Sequence, residues 1–170
     1  MNEEKPSLSI RLATPADAIA LTKIINDAFR VSEGFFVIRD RIDLNEVRKL
    51  LESGTFLIAE IEDVLTGCVY VEPKTGADAD ATPRAYLGLL SVDPTKQRAG
   101  LGSRLMEAAE QHCRQLGCRF MDIRVVNLRV ELPAYYHKRG YIDAGVSDFP
   151  AEVPTSVPCH FLEMTKQLIP

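Results

Sequence analysis

The chain has 170 residues, 46% of them hydrophobic and 26% charged, with a formal net charge of −4. That describes one soluble globular domain long enough to bury a proper core, and the acidic balance argues against non-specific nucleic-acid binding. No run of about 18 apolar residues is present, so no membrane partner is expected, and the polar start Met1-Asn-Glu-Glu-Lys-Pro6 lacks an apolar signal region, which points to a cytoplasmic protein.

Residues 1–7 are expected to form a frayed, flexible tail. Leu8 to Ala13 alternate apolar and polar and predict a strand. Thr14 as N-cap and Pro15 in the first turn then open a helix whose apolar stripe is Ala18, Leu21, Ile25, Ala28 and Phe29. Arg30 to Arg41 has no clear period. Asp43-Leu-Asn-Glu46 has the form of a capping box, and the helix it starts buries Leu44, Val47, Leu50 and Leu51 before Gly54 closes it. Thr55 to Ile61 and Leu65 to Glu72 predict a hairpin turning at Glu62-Asp63. Pro73 to Pro83 is a solvent-facing loop.

Arg84 to Val92 predicts a buried strand, with a turn at Asp93-Pro94. A loop follows, Gln97-Arg98-Ala99-Gly100-Leu101-Gly102, and a helix beginning near Leu101 buries Leu101, Leu105, Ala109, Cys113 and Leu116 until Gly117 stops it. Arg119 to Val126 is a strand, and Glu131 to Arg139 a helix with Pro133 near its start. Gly140 ends that helix and Tyr141 opens another strand. Ser147 to Pro158, with three prolines, is irregular, and His160 to Lys166 is the final strand. The order β-α-α-β-β-β-α-β-α-β-β describes a mixed α/β domain. Cys68, Cys113, Cys118 and Cys159 have no zinc-like spacing, so buried free thiols are expected and no metal.

The Gln97–Gly102 loop carries the chemistry. Glycines let the backbone pass close to a ligand, and the helix behind them points free N–H groups and its positive dipole end back into the loop, which attracts phosphate. A P-loop lysine is absent, and the third glycine of a dinucleotide fingerprint is replaced by Leu105.

The pattern Gln/Arg-x-x-Gly-x-Gly/Ala after an apolar strand resembles the acetyl-coenzyme A loop of the GCN5-related N-acetyltransferases. A second motif agrees: Arg129-Val-Glu-Leu-Pro-Ala-Tyr-Tyr-His-Lys-Arg-Gly-Tyr141 is similar to the family's fourth-helix signature, with Tyr136 four residues before the Gly140-Tyr141 pair. The order of elements also fits, and the resemblance implies a single mixed-sheet acetyltransferase domain over 8–170 with acetyl-CoA as its cofactor. It implies that Leu90 and Val92 bind the pantetheine arm through backbone groups. Gln97, Arg98, Ala99, Gly100, Leu101, Gly102 and Ser103 would cradle the pyrophosphate, Arg98 by direct contact. Asn127 would reach the cofactor from its strand end, a turn or capping role being the alternative.

The implied reaction is direct attack of a primary amine on the thioester, with a backbone N–H near Leu90 stabilising the oxyanion and Tyr136 serving the leaving sulfur. Tyr135 is expected to be structural, because adjacent helix positions face apart. The family's glutamate base has no counterpart: Tyr86 occupies its position, and Glu72 is an alternative acting through water or merely a solvated charge. His137 and His112 are expected to play no part. Acceptor recognition would fall to 31–41, where Phe35 and Phe36 would wall a pocket, and to 143–158. A non-catalytic acyl-CoA sensor on the same fold and a protein-interaction module are the competing readings. A homodimer is compatible with the sequence, which has no motif that specifies one.

Overall fold

Period-two burial along two central strands sets the layers of the molecule. The computed structural model describes residues 6–74, 82–96 and 100–170. In β2 (Thr55–Ile61), Phe56 and Ile58 alternate with Leu57 and Ala59, and all four are buried. In β3 (Val64–Lys74), Cys68 and Tyr70 alternate with Val69 and Val71, again all buried. Strands buried on both faces need a helical layer over each. One layer is α1 (Ala18–Glu33) with α2 (Leu44–Ser53), whose Leu21, Ile25 and Val47 share a core with Phe56, Ile58, Cys68 and Tyr70. The other is α3 (Leu101–Gln115), which sets Leu105, Met106 and Ala109 in the core that holds Leu57, Ala59, Val69 and Val71.

The remaining elements are β1 (Leu8–Leu12), β4 (Arg84–Val92), β5 (Phe120–Val126), the short helix α4 (Leu132–His137), β6 (Ile142–Asp148) and β7 (His160–Gln167). The sheet has seven strands in the order β1-β2-β3-β4-β5-β7-β6. Every neighbouring pair is antiparallel except β4 and β5, which are parallel. A parallel pair needs a crossover, and α3 supplies it. The expected element order is observed. β3 continues past the expected end at Glu72, so that Pro73 pairs with Ala85. Most of the loop expected over Pro73 to Pro83 lies outside the described residues.

Local chemistry explains the boundaries. The β2–β3 turn places Glu62 and Asp63 at φ 51° and 63°, the left-handed pair that matches strand twist in a two-residue hairpin. Asp43 and Glu46 exchange side-chain and backbone hydrogen bonds of 2.8 Å each at the start of α2. Before α1 there is a short 3-10 turn, Pro15–Asp17, and Asp17 accepts the Thr14 N–H at 2.8 Å. The Arg11 guanidinium grips both Asp17 oxygens at 2.9 Å and Glu60 at 2.8 Å, tying β1 and β2 to this turn.

At the opposite end, Glu110 on α3 is buried and holds three elements together. It accepts from the Tyr141 hydroxyl at 3.1 Å and from Lys166 of β7 at 2.8 Å, with Arg114 at 3.5 Å. Replacing it by alanine leaves a buried hydroxyl and a mostly buried ammonium unpaired. Glu110→Ala should therefore lower the unfolding free energy by about 3 kcal/mol in urea melts, with Glu110→Gln losing less because it can still accept from Tyr141. A loss below about 1 kcal/mol would contradict this account.

The hydrogen bonds from Arg11 lower the Asp17 carboxyl from the ordinary 3.8 to about 2. Its stabilisation is complete above pH 4 and is lost as the pH falls through 2. The stability gap between the wild type and Arg11→Met should be about 1 kcal/mol at neutral pH, allowing for the exposure of Arg11. It should close towards pH 2 in acid titrations followed by circular dichroism.

Candidate active site

The parallel pair is short. β4 and β5 share only three registered positions, Arg84 with Phe120, Ala85 with Met121 and Tyr86 with Asp122; beyond them the strands diverge. Arg84 pins the vertex. Its Nε donates to Asp122 at 2.7 Å, and its Nη2 donates to the other Asp122 oxygen and to Thr165 of β7 at 2.8 Å. Partial burial pushes the Asp122 carboxyl up, but the Arg84 hydrogen bonds prevail and hold it below the usual range.

Past the vertex β4 carries a bulge. Cys68 pairs with Ser91 and Tyr70 with Gly88, so Leu89 and Leu90 together oppose Val69. Leu89 takes φ 52°, a left-handed conformation that costs a leucine about 1–2 kcal/mol. Bulges bend a strand and interrupt its ladder, and on the other edge β5 has already departed. The result is a cleft of about 410 Å³ between β4 and β5. Tyr135 and Tyr136 of α4 line it, as do Phe29 and Glu33 in the second half of α1, Arg39 to Arg41, and Phe149 and Phe161.

The first turn of α3 stands at one mouth. Gly100 caps it at φ 74°, and the first helical bond runs from Arg104 N–H to Gly100 C=O at 3.2 Å. The N–H groups of Leu101, Gly102 and Ser103 thus make no backbone hydrogen bond among the described residues. A Cβ on Gly102 would stand 3.9–4.0 Å from the Tyr135 hydroxyl and the Leu90 and Val92 side chains; glycine keeps this gap open. Arg139 donates to the Ser103 hydroxyl and stacks 4.8 Å from the Tyr135 ring, while its Nε is sealed without a partner among the described residues. A cationic, donor-rich helix end of this kind fits a pyrophosphate.

Of the residues expected at the site, Tyr86, Leu90, Val92, Gly102 and Tyr136 line the cleft, and Gly100, Leu101 and Ser103 form its mouth. Gln97, Arg98 and Ala99 lie outside the described residues. Tyr136 is 9% exposed, and its hydroxyl makes no hydrogen bond among the described residues. Burial pushes its pKa up to about 12. Burial also raises the Tyr86 phenol, so it is a neutral hydroxyl near pH 7 and a poor base.

Two expected site residues are engaged elsewhere. Glu72 does not line the cleft; the Tyr70 hydroxyl donates to it at 3.0 Å and Lys74 pairs with it at 3.1 Å. The cause is strand alternation, which sets positions 70, 72 and 74 on one face. Asn127 does not line the cleft either. Its side-chain oxygen accepts the His160 N–H at 2.8 Å, which fixes the start of β7. The structure sets the surroundings of three further groups of residues. Tyr135 lines the cleft beside Tyr136, because the rings splay edge to face at 5.2 Å on a helix of six residues. Phe36 is core and Phe35 exposed, and neither lines the cleft. His137 bonds Asp143 at 2.9 Å, away from the cleft.

The two segments expected to choose the acceptor meet above the cleft. Val37 and Thr155 form a bridge, the Ile38 N–H donates to Pro154 at 3.1 Å, and the Ser156 N–H donates to Phe36 at 2.8 Å. One residue beneath this roof was not anticipated. Glu33 lines the cleft although it is only 8% exposed. The signal was its place one turn beyond Phe29, a carboxylate at the edge of an apolar stripe.

Comparison with known proteins places this architecture. The sequence profile of the acetyltransferase (GNAT) family matches residues 19–141. An amino-acid acetyltransferase of Ralstonia nicotianae is 29% identical over 109 residues, 62% of this chain and 22% of that protein. The chain spans between about a fifth and a half of the length of the curated relatives it matches. The ribosomal-protein-alanine N-acetyltransferase of Brucella melitensis shares the fold at TM-score 0.74 and 21% identity, covering 94% of this chain and 99% of that one. The yncA structure from Salmonella typhimurium, solved with its cofactor acetyl-CoA, matches at TM-score 0.72 and 23% identity, covering 96% and 95%. No helix among the described residues is long and apolar enough to cross a membrane. By its matched profile, the chain belongs to the acetyltransferase (GNAT) family, whose members use acetyl-CoA as acyl donor.

Proposed function

We propose that residues 8–170 act as one N-acetyltransferase domain that moves an acetyl group from acetyl-CoA to a primary amine by direct attack in a ternary complex. The observation that carries this reading is the cleft between β4 and β5, with a donor-rich helix end at its mouth and Tyr136 on its wall. Bound acetyl-CoA supplies the thioester acyl group. The N–H groups of Leu101, Gly102 and Ser103 hold its pyrophosphate, with Gln97, Arg98 and Ala99 completing the loop. The β5-facing edge of β4 at Leu90 and Val92 takes the pantetheine arm as a strand would take a neighbour. A backbone N–H at the Leu90 bulge polarises the carbonyl. The Tyr136 hydroxyl, protonated to about pH 12, donates to the departing sulfur.

Calorimetric titration with acetyl-CoA tests the site. The wild type should bind, and Gly102→Glu should weaken binding at least about 100-fold, because its side chain fills the mouth and repels phosphate. A first-turn glutamate suits the helix dipole, so the variant should keep its circular dichroism spectrum. Absence of binding by the wild type would sink the reading, while binding without thiol release from any amine would leave the sensor alternative in front.

Tyr136→Phe should lower kcat about 10- to 100-fold and leave acetyl-CoA affinity unchanged. In the wild type no alkaline loss of rate from Tyr136 should appear below about pH 11, one unit short of its raised pKa. Unchanged turnover in the phenylalanine variant would assign that hydroxyl to packing alone.

A further inference from the structure

A carboxylate faces the cleft with its hydrogen-bonding capacity unspent. Glu33 ends α1, where its backbone carbonyl accepts the N–H groups of Phe36 and Val37, both at 3.0 Å, so its position is fixed. A buried ionised group needs partners, and two arginines face this one. Arg129, from the β5–α4 connection, brings Nη1 to 3.9 Å, and Arg41 approaches from the α1–α2 connection. Neither makes a hydrogen bond to it. The Nε of Arg129 is given to Glu131 at 2.6 Å, and the Arg41 guanidinium lies 5.3 Å from the Phe29 ring centre.

Among the described residues the one sealed and unpartnered side-chain polar atom is Arg139 Nε. The Glu33 oxygens, which also lack a hydrogen bond, are therefore not sealed, and the residue lines both the cleft and a neighbouring hollow bounded by Asn26, Arg30 and Ile38. Asp40 also lines the cleft but is 65% exposed and paired with Arg30 at 3.0 Å. Glu72 is held by Tyr70 and Lys74. Arg129 lies within electrostatic reach of both Glu33 and Tyr136, so the carboxylate and the phenol face one cleft from α1 and α4 with a single cation acting on both.

We propose that Glu33 is the general base of the reaction, receiving the acceptor's ammonium group and taking its proton. The assignment rests on the acyl-transfer reading above. One ammonium proton passes to the Glu33 carboxylate, and the freed nitrogen lone pair forms the C–N bond at the thioester carbonyl. The C–S bond then breaks and its electron pair stays on sulfur. A second nitrogen proton neutralises that thiolate, directly or with the Tyr136 hydroxyl as relay, and Glu33 returns its proton to solvent. The sum is ammonium plus thioester giving amide, thiol and one proton.

Burial raises the Glu33 carboxyl above the usual glutamate range, against the pull of Arg41 and Arg129. The groups facing it are those two arginines, cationic throughout, and the Cys159 thiol across the β6–β7 connection, which burial and then the charge of Glu33 push up. Glu131, which holds Arg129 at 2.6 Å, is also a carboxylate; burial pushes it up, but its bond to Arg129 keeps it below the usual glutamate range, on the other side from Glu33. The rate is therefore full above the folded pKa of Glu33 and falls as the pH drops through it.

The test compares the wild type with Glu33→Gln and Glu33→Asp, using acetyl-CoA as donor. The acceptor probes are free L-amino acids, spermidine and a short alanine-initiated peptide. Calorimetry reads acetyl-CoA affinity, thiol release reads turnover, and carboxyl carbon NMR of labelled glutamate reads titration. Glu33→Gln should bind acetyl-CoA within about twofold of the wild type and release thiol at least about 100-fold more slowly, with Glu33→Asp recovering part of the rate. The wild-type acid limb should coincide with the titration of the carboxyl resonance that Glu33→Gln deletes, and should be missing from that variant. An undiminished kcat in Glu33→Gln, or a rise in KM alone, overturns the role of Glu33 and leaves acyl transfer standing. A wild type that binds acetyl-CoA yet releases thiol with none of the probes overturns the assignment, and one that does not bind it overturns the acyl-transfer reading as well.

Discussion

A guanidinium fork at the foot of two strands is the constraint on which the site depends. Arg84 ties β4 to Asp122 of β5 and Thr165 of β7, so that the strands are held at one end and free to part at the other. Parting them has a cost. Each backbone group left without a ladder partner forfeits about 1 kcal/mol, and Leu89 adds left-handed strain. A sheet would ordinarily close such a gap. Here the bulge at Leu89 and Leu90 breaks the β4 ladder on one edge while β5 leaves on the other, and the aromatic wall of Tyr135 and Tyr136 faces the opening. Unpaired strand edges inside a folded domain are what a ligand with amide groups of its own would satisfy.

The cleft is electrically divided. At the α3 mouth the N–H groups of Leu101, Gly102 and Ser103, without a backbone hydrogen bond among the described residues, join the helix dipole and Arg139 in positive character, which suits phosphate. Beneath the roof, Glu33 stands among Arg41 and Arg129. The overall charge of −4 says nothing of this division, because ligands respond to the local field within about 10 Å rather than to the whole molecule.

The fold was legible in the sequence because it follows from short-range rules. Alternation in 55–61, the Asp43–Glu46 box and the glycine at 117 each declare an element without reference to the rest of the chain. The glycine that opens α3 was legible for the same reason: Gly100 caps the helix at φ 74°. The residues left open are those whose surroundings are set by a neighbour distant in sequence. Asn127 looks like a cofactor ligand until β7 is placed beside it, where it serves the His160 N–H. Glu33 lies in a stretch without a clear period, and only the fold brings Arg41 and Arg129 to it. Glu72 is a different case: Tyr70 lies two residues away on the same strand face, so their hydrogen bond was accessible to period-two reasoning.

The two segments expected to choose the acceptor brace each other. The segments 37–38 and 154–156 are held by backbone hydrogen bonds to each other, and backbone pairing does not depend on side-chain identity. Side chains on either segment can change while the roof stays in place, as expected of loops carried on a rigid scaffold. The roof meets the cleft through Val37 and Val153 as well as Arg39 to Arg41, and Phe149 and Phe161 add apolar lining. Such a lining selects shape, and it lowers the local dielectric around Glu33, which strengthens any charge interaction made there. The proposed role of Glu33 thus needs both features together: burial beneath the roof, which leaves it 8% exposed, and a place on the cleft wall.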